Sequence, residues 1–85
     1  MITVYQKLRS SGINFSRNDL KKIGKMAHRT YQRKFRKLPM LTEQKEGERI
    51  YKVCAYPDRF SGTMDRLIVK YYQEKLQRMH ENGTN

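Results

Sequence analysis

Between Ser16 and Pro39 the apolar residues Leu20, Ile23, Ala27, Tyr31, Phe35 and Leu38 recur at spacings of 3, 4, 4, 4 and 3. That rhythm gathers them on one side of an α-helix and on no single side of a strand. The segment is also bounded as a helix is. Ser16 can cap it, Asp19 three residues on completes a capping box, and Phe15 and Leu20 stand where a hydrophobic staple forms. Pro39 disfavours helical backbone just before it, so the helix should end near Arg36 or Lys37. About 21 residues at about 1.5 Å each give roughly 32 Å, a rod as long as the domain is wide.

The other side of this rod is basic. With Leu20 at 0° and a step of about 100° per residue, Lys22, Lys25, Arg29, Arg33 and Arg36 fall between about 140° and 220°. Lys21, Lys34 and Lys37 are expected to flank that stripe. Formal charge is +8 over residues 16–38, against +2 before it, 0 over 39–60 and +1 after. The chain as a whole carries 19 Lys+Arg against 8 Asp+Glu, a net +11. A solvated helix face ordinarily mixes signs and gains from i,i+4 Glu–Lys pairs. This one has no acid after Asp19, and its like-charged i,i+4 neighbours each cost a few tenths of a kcal/mol. A polyanion relieves that repulsion. The charge therefore points to nucleic acid, with an acidic protein partner or mere solubility as the competing readings.

Composition limits what else the chain can be. Eighty-five residues allow one domain, and one this small buries only about 60–65% of its unfolded surface. Leu, Ile, Val and Phe together number 17, near the line below which charged chains stay disordered. The helical periodicity argues for folding nonetheless, and six Tyr and five Met add apolar area. No apolar run approaches the roughly 20 residues of a membrane span. The N-terminus has no apolar signal-peptide core. The single cysteine, Cys54, permits no internal disulfide, which fits an intracellular, cytoplasmic or nucleoid-associated protein. The sequons at Asn14 and Asn82 are then chance.

Three more elements complete the expected fold. Thr3 to Ser10 reads as a short helix with Thr3 as cap and Gly12 just past its end; a strand over Ile2–Tyr5 is the alternative. Met40–Tyr56 reads as a hairpin turning near Glu46-Gly47, with a β-branched and aromatic second strand from Arg49. After Pro57-Asp58, Ser61 or Thr63 caps a last helix running to about His80. Its apolar face is Met64, Leu67, Ile68, Tyr71, Tyr72, Leu76 and Met79. Residues 81–85 read as a frayed tail. The fold class expected is a small α+β domain over residues 1–80 in the order α-α-β-β-α, with the second and last helices packed across the hairpin. The first two helices could form a helix-turn-helix and the hairpin a wing, although the connection is long and the second helix is twice the usual recognition length.

The function expected is non-catalytic nucleic-acid binding. Lys22, Lys25, Arg29, Arg33 and Arg36 would meet phosphates, supported by Lys21, Lys34 and Lys37, with duplex DNA favoured because a straight stripe suits a regular backbone. Asn18 or Gln32 could read adenine, and Arg29 or Arg33 guanine. Alternatives are an RNA-binding subunit of a larger ribonucleoprotein or nucleoprotein assembly and an adaptor for an acidic protein. Tyr71, Tyr72 and Met79 mark the last helix for core packing, a protein partner or a homodimer. Tyr51 and Tyr56 are candidates for stacking on unpaired bases, but the strand alternation puts them on opposite faces, so at least one belongs to the core. His28, His80 and Cys54 are too few, at no metal-ligand spacing, for a zinc site. Cys54 reads as a small buried residue. An RNA-cleaving enzyme could draw on His28 with Arg29 or Tyr31 with Arg33, yet the acids cluster at the hairpin turn, away from the cationic helix in sequence. No cofactor is expected.

Overall fold

The computed structural model describes residues 1–83, and the side chains of all of these except Glu46 and residues 80–83. The elements are α1 (Val4–Ser10), α2 (Arg17–Phe35), β1 (Met40–Glu46), β2 (Arg49–Ala55) and α3 (Ser61–Gly83), with one 3-10 turn at Asp58–Phe60. The order α-α-β-β-α is the expected one.

Capping defines both N-terminal helices. The Thr3 hydroxyl accepts from the Gln6 backbone N–H at 3.1 Å, and the Gln6 carbonyl oxygen accepts from the Thr3 N–H in return. Ser16 and Asp19 make the same reciprocal pair, at 3.0 Å each way. Ile2 does pair with a strand end, exchanging two 2.8 Å backbone hydrogen bonds with Tyr56, but the chain turns helical two residues later. α2 stops one residue short of the expected end. Arg36 adopts the left-handed conformation (φ 55°) and its N–H closes on the Gln32 carbonyl at 2.8 Å. That turn throws Leu38 off the helix and leaves it exposed rather than on the core face.

The hairpin pairs Met40 with Ala55 through Glu46 with Arg49, closed by Gly47 at φ 61°. It is not the platform expected for the helices. α2 packs directly against α3, and α1 against α2, so the core is a three-helix cluster. Met40–Glu43 and Lys45 of β1 are exposed, as are Arg49, Ile50 and Lys52 of β2, whereas β2 becomes half-buried at Val53 and Cys54 and buried at Ala55. β1 is too polar to cover an apolar helix face, so the ribbon runs back beside α2 instead.

Buried Leu8, Ile23, Ala27, Met64 and Ile68 fill the centre. An aromatic group closes one end: Tyr31 lies 4.7 Å from Phe35, 5.4 Å from Tyr56 and 5.3 Å from Phe60, and Tyr56 stacks on Phe60 at 5.0 Å. Ser61 is the first residue of α3 and Thr63 lies inside it, so neither precedes the helix as a cap; the 3-10 turn delivers the chain instead. α3 continues past His80 to Gly83, so the helical backbone takes in part of the expected tail; residues 84 and 85 lie outside the described residues. The distal part of α3 outruns the core, leaving Leu76 and Met79 exposed. The radius of gyration, 14.0 Å, exceeds the roughly 12 Å of a compact chain of this length. Among the described residues, no helix is long and apolar enough to cross a membrane.

Candidate nucleic-acid interface

The basic helix is held in place by a buried carboxylate. Asp19 is 3% exposed. Its Oδ1 accepts from the Tyr71 hydroxyl at 2.6 Å and the Lys75 ammonium at 2.9 Å, and its Oδ2 from the Ser16 N–H and Lys75, both at 3.0 Å. Burial alone would raise the Asp19 pKa. The bonds from Tyr71, Ser16 and Lys75 outweigh it and hold the carboxyl well below the usual range. Burial, and then the bond to Asp19, push the Tyr71 phenol up to about 12. This network ties the N-terminus of α2 to the middle of α3. It also takes Tyr71 out of any partner surface, leaving Tyr72 half-buried and Met79 exposed.

All eight cations singled out from the sequence are exposed: Lys21, Lys22, Lys25, Arg29, Arg33, Lys34, Arg36 and Lys37. Among the described residues none of them is in an ion pair; the side-chain pairs formed are Lys7–Asp65 and Lys75–Asp19. The structure does not place all eight together. Lys22, Lys25, Arg29 and Arg33 share the outer face of α2 over about 16 Å of helix. Arg36 follows on the left-handed turn, and Lys37 beyond it. Lys34 does not flank the stripe: a 100° step carries it to the side of Ala27 and Tyr31, past the end of the core. There its ammonium sits 5.7 Å from the centre of the Phe35 ring. The helix dipole favours Arg33 and Lys34 in the last turn. It does nothing for Lys21 and Lys22, which stand near the positive end, so local stability does not account for them.

Lys21 and Lys25 have a second neighbourhood that the helical wheel did not disclose. The hairpin runs back along α2, and an open cleft of about 520 Å³ lies between them. α2 contributes Arg17, Leu20, Lys21, Gly24, Lys25 and His28 to it. The ribbon contributes Gln44, Tyr51, Lys52, Val53 and Cys54, and α1 adds Val4 and Tyr5. Four cations line this cleft and no carboxylate does. Tyr51 stands at its edge, half-buried, with the Arg17 guanidinium 5.6 Å from its ring centre and donating to its hydroxyl at 3.3 Å. Hydrogen bonding from Arg49, and then Arg17, lowers the Tyr51 pKa.

Tyr56 is not free to stack, being wholly buried against Tyr31 and Phe60. Burial, and then the neighbouring Cys54 thiol, raise its pKa. Its hydroxyl is buried without a hydrogen-bond partner among the described residues. His28 is a half-buried cleft residue, and Cys54 is only partly covered. Asn18 and Gln32 are exposed. The described residues hold no cluster of three His, Cys, Asp or Glu side chains placed to share a metal ion. No protein-family model matches the chain, and no curated protein or solved structure matches it either.

Proposed function

We propose that this protein binds nucleic acid without catalysing a reaction on it, laying the outer face of α2 on the phosphate backbone. The observation that carries the reading is the row Lys22, Lys25, Arg29 and Arg33, continued by Arg36: all exposed, and none ion-paired among the described residues. Cations held in line on a rigid helix lose little freedom when they meet a regular array of phosphates, and the counterions they displace supply the affinity. Lys21 and Lys37 add charge at the two ends. The expected preference for duplex DNA rests on the straightness of this face alone.

A second reading, a subunit of a nucleoprotein assembly, is favoured by α3. Val69, Tyr72, Leu76 and Met79 recur at spacings of 3, 4 and 3 along it, and Val69, Leu76 and Met79 are exposed. Such an apolar stripe beside a basic helix suits a protein that meets nucleic acid on one side and a neighbour on the other.

Fluorescence anisotropy with labelled duplex DNA, single-stranded DNA and structured RNA across a salt series tests the primary reading. Four to five phosphate contacts give a log–log salt slope near −4 on duplex DNA. Changing Arg29, Arg33 and Arg36 to Gln should lower affinity at least about tenfold and flatten the slope by about 2–3. Affinity and slope that barely move would mean that this face does not bind.

A further inference from the structure

We infer that the cleft between α2 and the hairpin takes one unpaired nucleobase, while the cations on its rim hold the phosphates on either side. The inference rests on the nucleic-acid reading and names the form of the ligand.

Size is the first consideration. About 520 Å³ lies within the range of roughly 300–1,000 Å³ usual for small-ligand sites, room for a nucleotide unit. Chemistry is the second. Leu20, Val53 and the open side of Gly24 give apolar walls for a flat ring. Tyr51 and Arg17, already joined to each other, offer an aromatic face and a guanidinium plane, the two surfaces on which unstacked bases rest. Hydrogen bonding is the third. Gln44 at the cleft wall can donate and accept along a base edge. Charge is the fourth. Arg17, Lys21, Lys25 and Lys52 surround the cleft with no acid among its lining, and Lys25 also belongs to the outer basic row. A strand whose phosphates follow that row thus passes the mouth of the cleft.

An apolar ligand would leave the four cations unused. An acidic peptide would use the cations but leave the flat apolar interior unfilled. A base carried on its phosphate uses both.

Gly24 makes the test clean. A Cβ built there meets no atom within 4 Å outside its own stretch of helix, and Gly24 lines the cleft from a helical backbone, so Gly24→Leu grows into the cleft. Anisotropy would compare a labelled single-stranded oligonucleotide with an abasic strand of the same length and charge. The protein should prefer the base-bearing strand by about tenfold. Gly24→Leu and Tyr51→Ala should abolish that preference while binding the abasic strand with the original salt slope. Arg29→Gln with Arg33→Gln should weaken both strands alike and keep the preference. Melting temperature confirms that each variant is folded. Adenosine monophosphate as competitor separates the two sources of a base: displacement at equal nucleotide concentration assigns the cleft to a free nucleotide, and failure to displace assigns it to a strand. Equal binding of the two strands by the unaltered protein, or a preference that survives Gly24→Leu, overturns the inference and leaves backbone binding standing. Absence of salt-dependent binding to either strand overturns both.

Discussion

Replacing Asp19 by Asn probes what holds the basic helix against α3. The amide is nearly the same size, and its carbonyl oxygen can still accept from the Ser16 N–H, so the helix cap survives. With the NH2 group turned toward Tyr71, the phenol can accept instead of donate. What goes is the charge: the bonds from Ser16 and Lys75 now end on a neutral carbonyl oxygen. Removing one partner of a fully buried pair costs about 3–5 kcal/mol. Lys75 is 42% exposed here and can turn back to water, so the loss should be nearer 2 kcal/mol. For a domain of this size that lowers Tm by about 8–16 °C.

Acid sets a second condition on the same substitution. The folded-state pKa of Asp19 lies below its unfolded value, so the stabilisation is complete above the unfolded value of about 4 and is lost as pH falls toward the folded one. The gap in Tm between the original protein and Asp19→Asn should therefore be constant from neutral pH down to about 5 and narrow below about 4. Thermal melts followed by far-ultraviolet circular dichroism across that range give both numbers. A loss under about 3 °C at neutral pH, or a gap that does not narrow in acid, would refute the assignment of the network as a clamp.

Three further expectations can be checked by the same melts or by titration. Tyr56→Phe removes a buried hydroxyl that has no partner and should leave stability unchanged or raise it by up to about 1 kcal/mol; a loss above about 1 kcal/mol would mean that the hydroxyl is satisfied in solution. Arg36→Gly relieves a left-handed conformation and should raise stability by about 0.5–1 kcal/mol while removing a cation from the binding row, so that Tm and affinity move in opposite directions. Tyr51 should ionise below an ordinary tyrosine, and changing Arg49 and Arg17 to Gln should move its ultraviolet titration upward.

Local chemistry carried most of the fold. Thr3, Ser16 and Asp19 announce helix starts because a cap is a matter of three neighbouring residues, and Gly47 announces a turn for the same reason. The basic row followed from helical geometry alone, and α2 does present it to solvent. What escaped was decided between distant segments. Asp19 gave no sign beyond its capping role that it would be bonded to Tyr71 and Lys75, 52 and 56 residues away. Tyr71 accordingly stayed open between core packing and a partner contact. Strand alternation separated Tyr51 from Tyr56 correctly, yet no periodicity says that a ribbon will lie beside a helix rather than beneath it. That placement creates the cleft, and Arg17, Gly24, Gln44 and Lys52 enter the site only through it. An aromatic tyrosine at one strand end and a glycine inside a long helix were the available signals; the glycine is the more telling, since it weakens the helix by about 1 kcal/mol relative to alanine.

The ribbon itself has a consequence for how the molecule fluctuates. Its backbone bonds are contained within 16 residues and closed by a two-residue turn; among the described residues the Ile2–Tyr56 pairing and the side-chain bonds Thr3–Gln44 and Arg17–Tyr51 tie it to the rest of the fold. The core of helices owes it little buried surface. The hairpin should therefore open and reform more readily than α1, α2 and α3. Its amides should exchange with solvent through that partial opening, at a lower free-energy cost than those of α2 and α3. The ribbon wall of the cleft should then exchange sooner than the opposite wall, the basic helix.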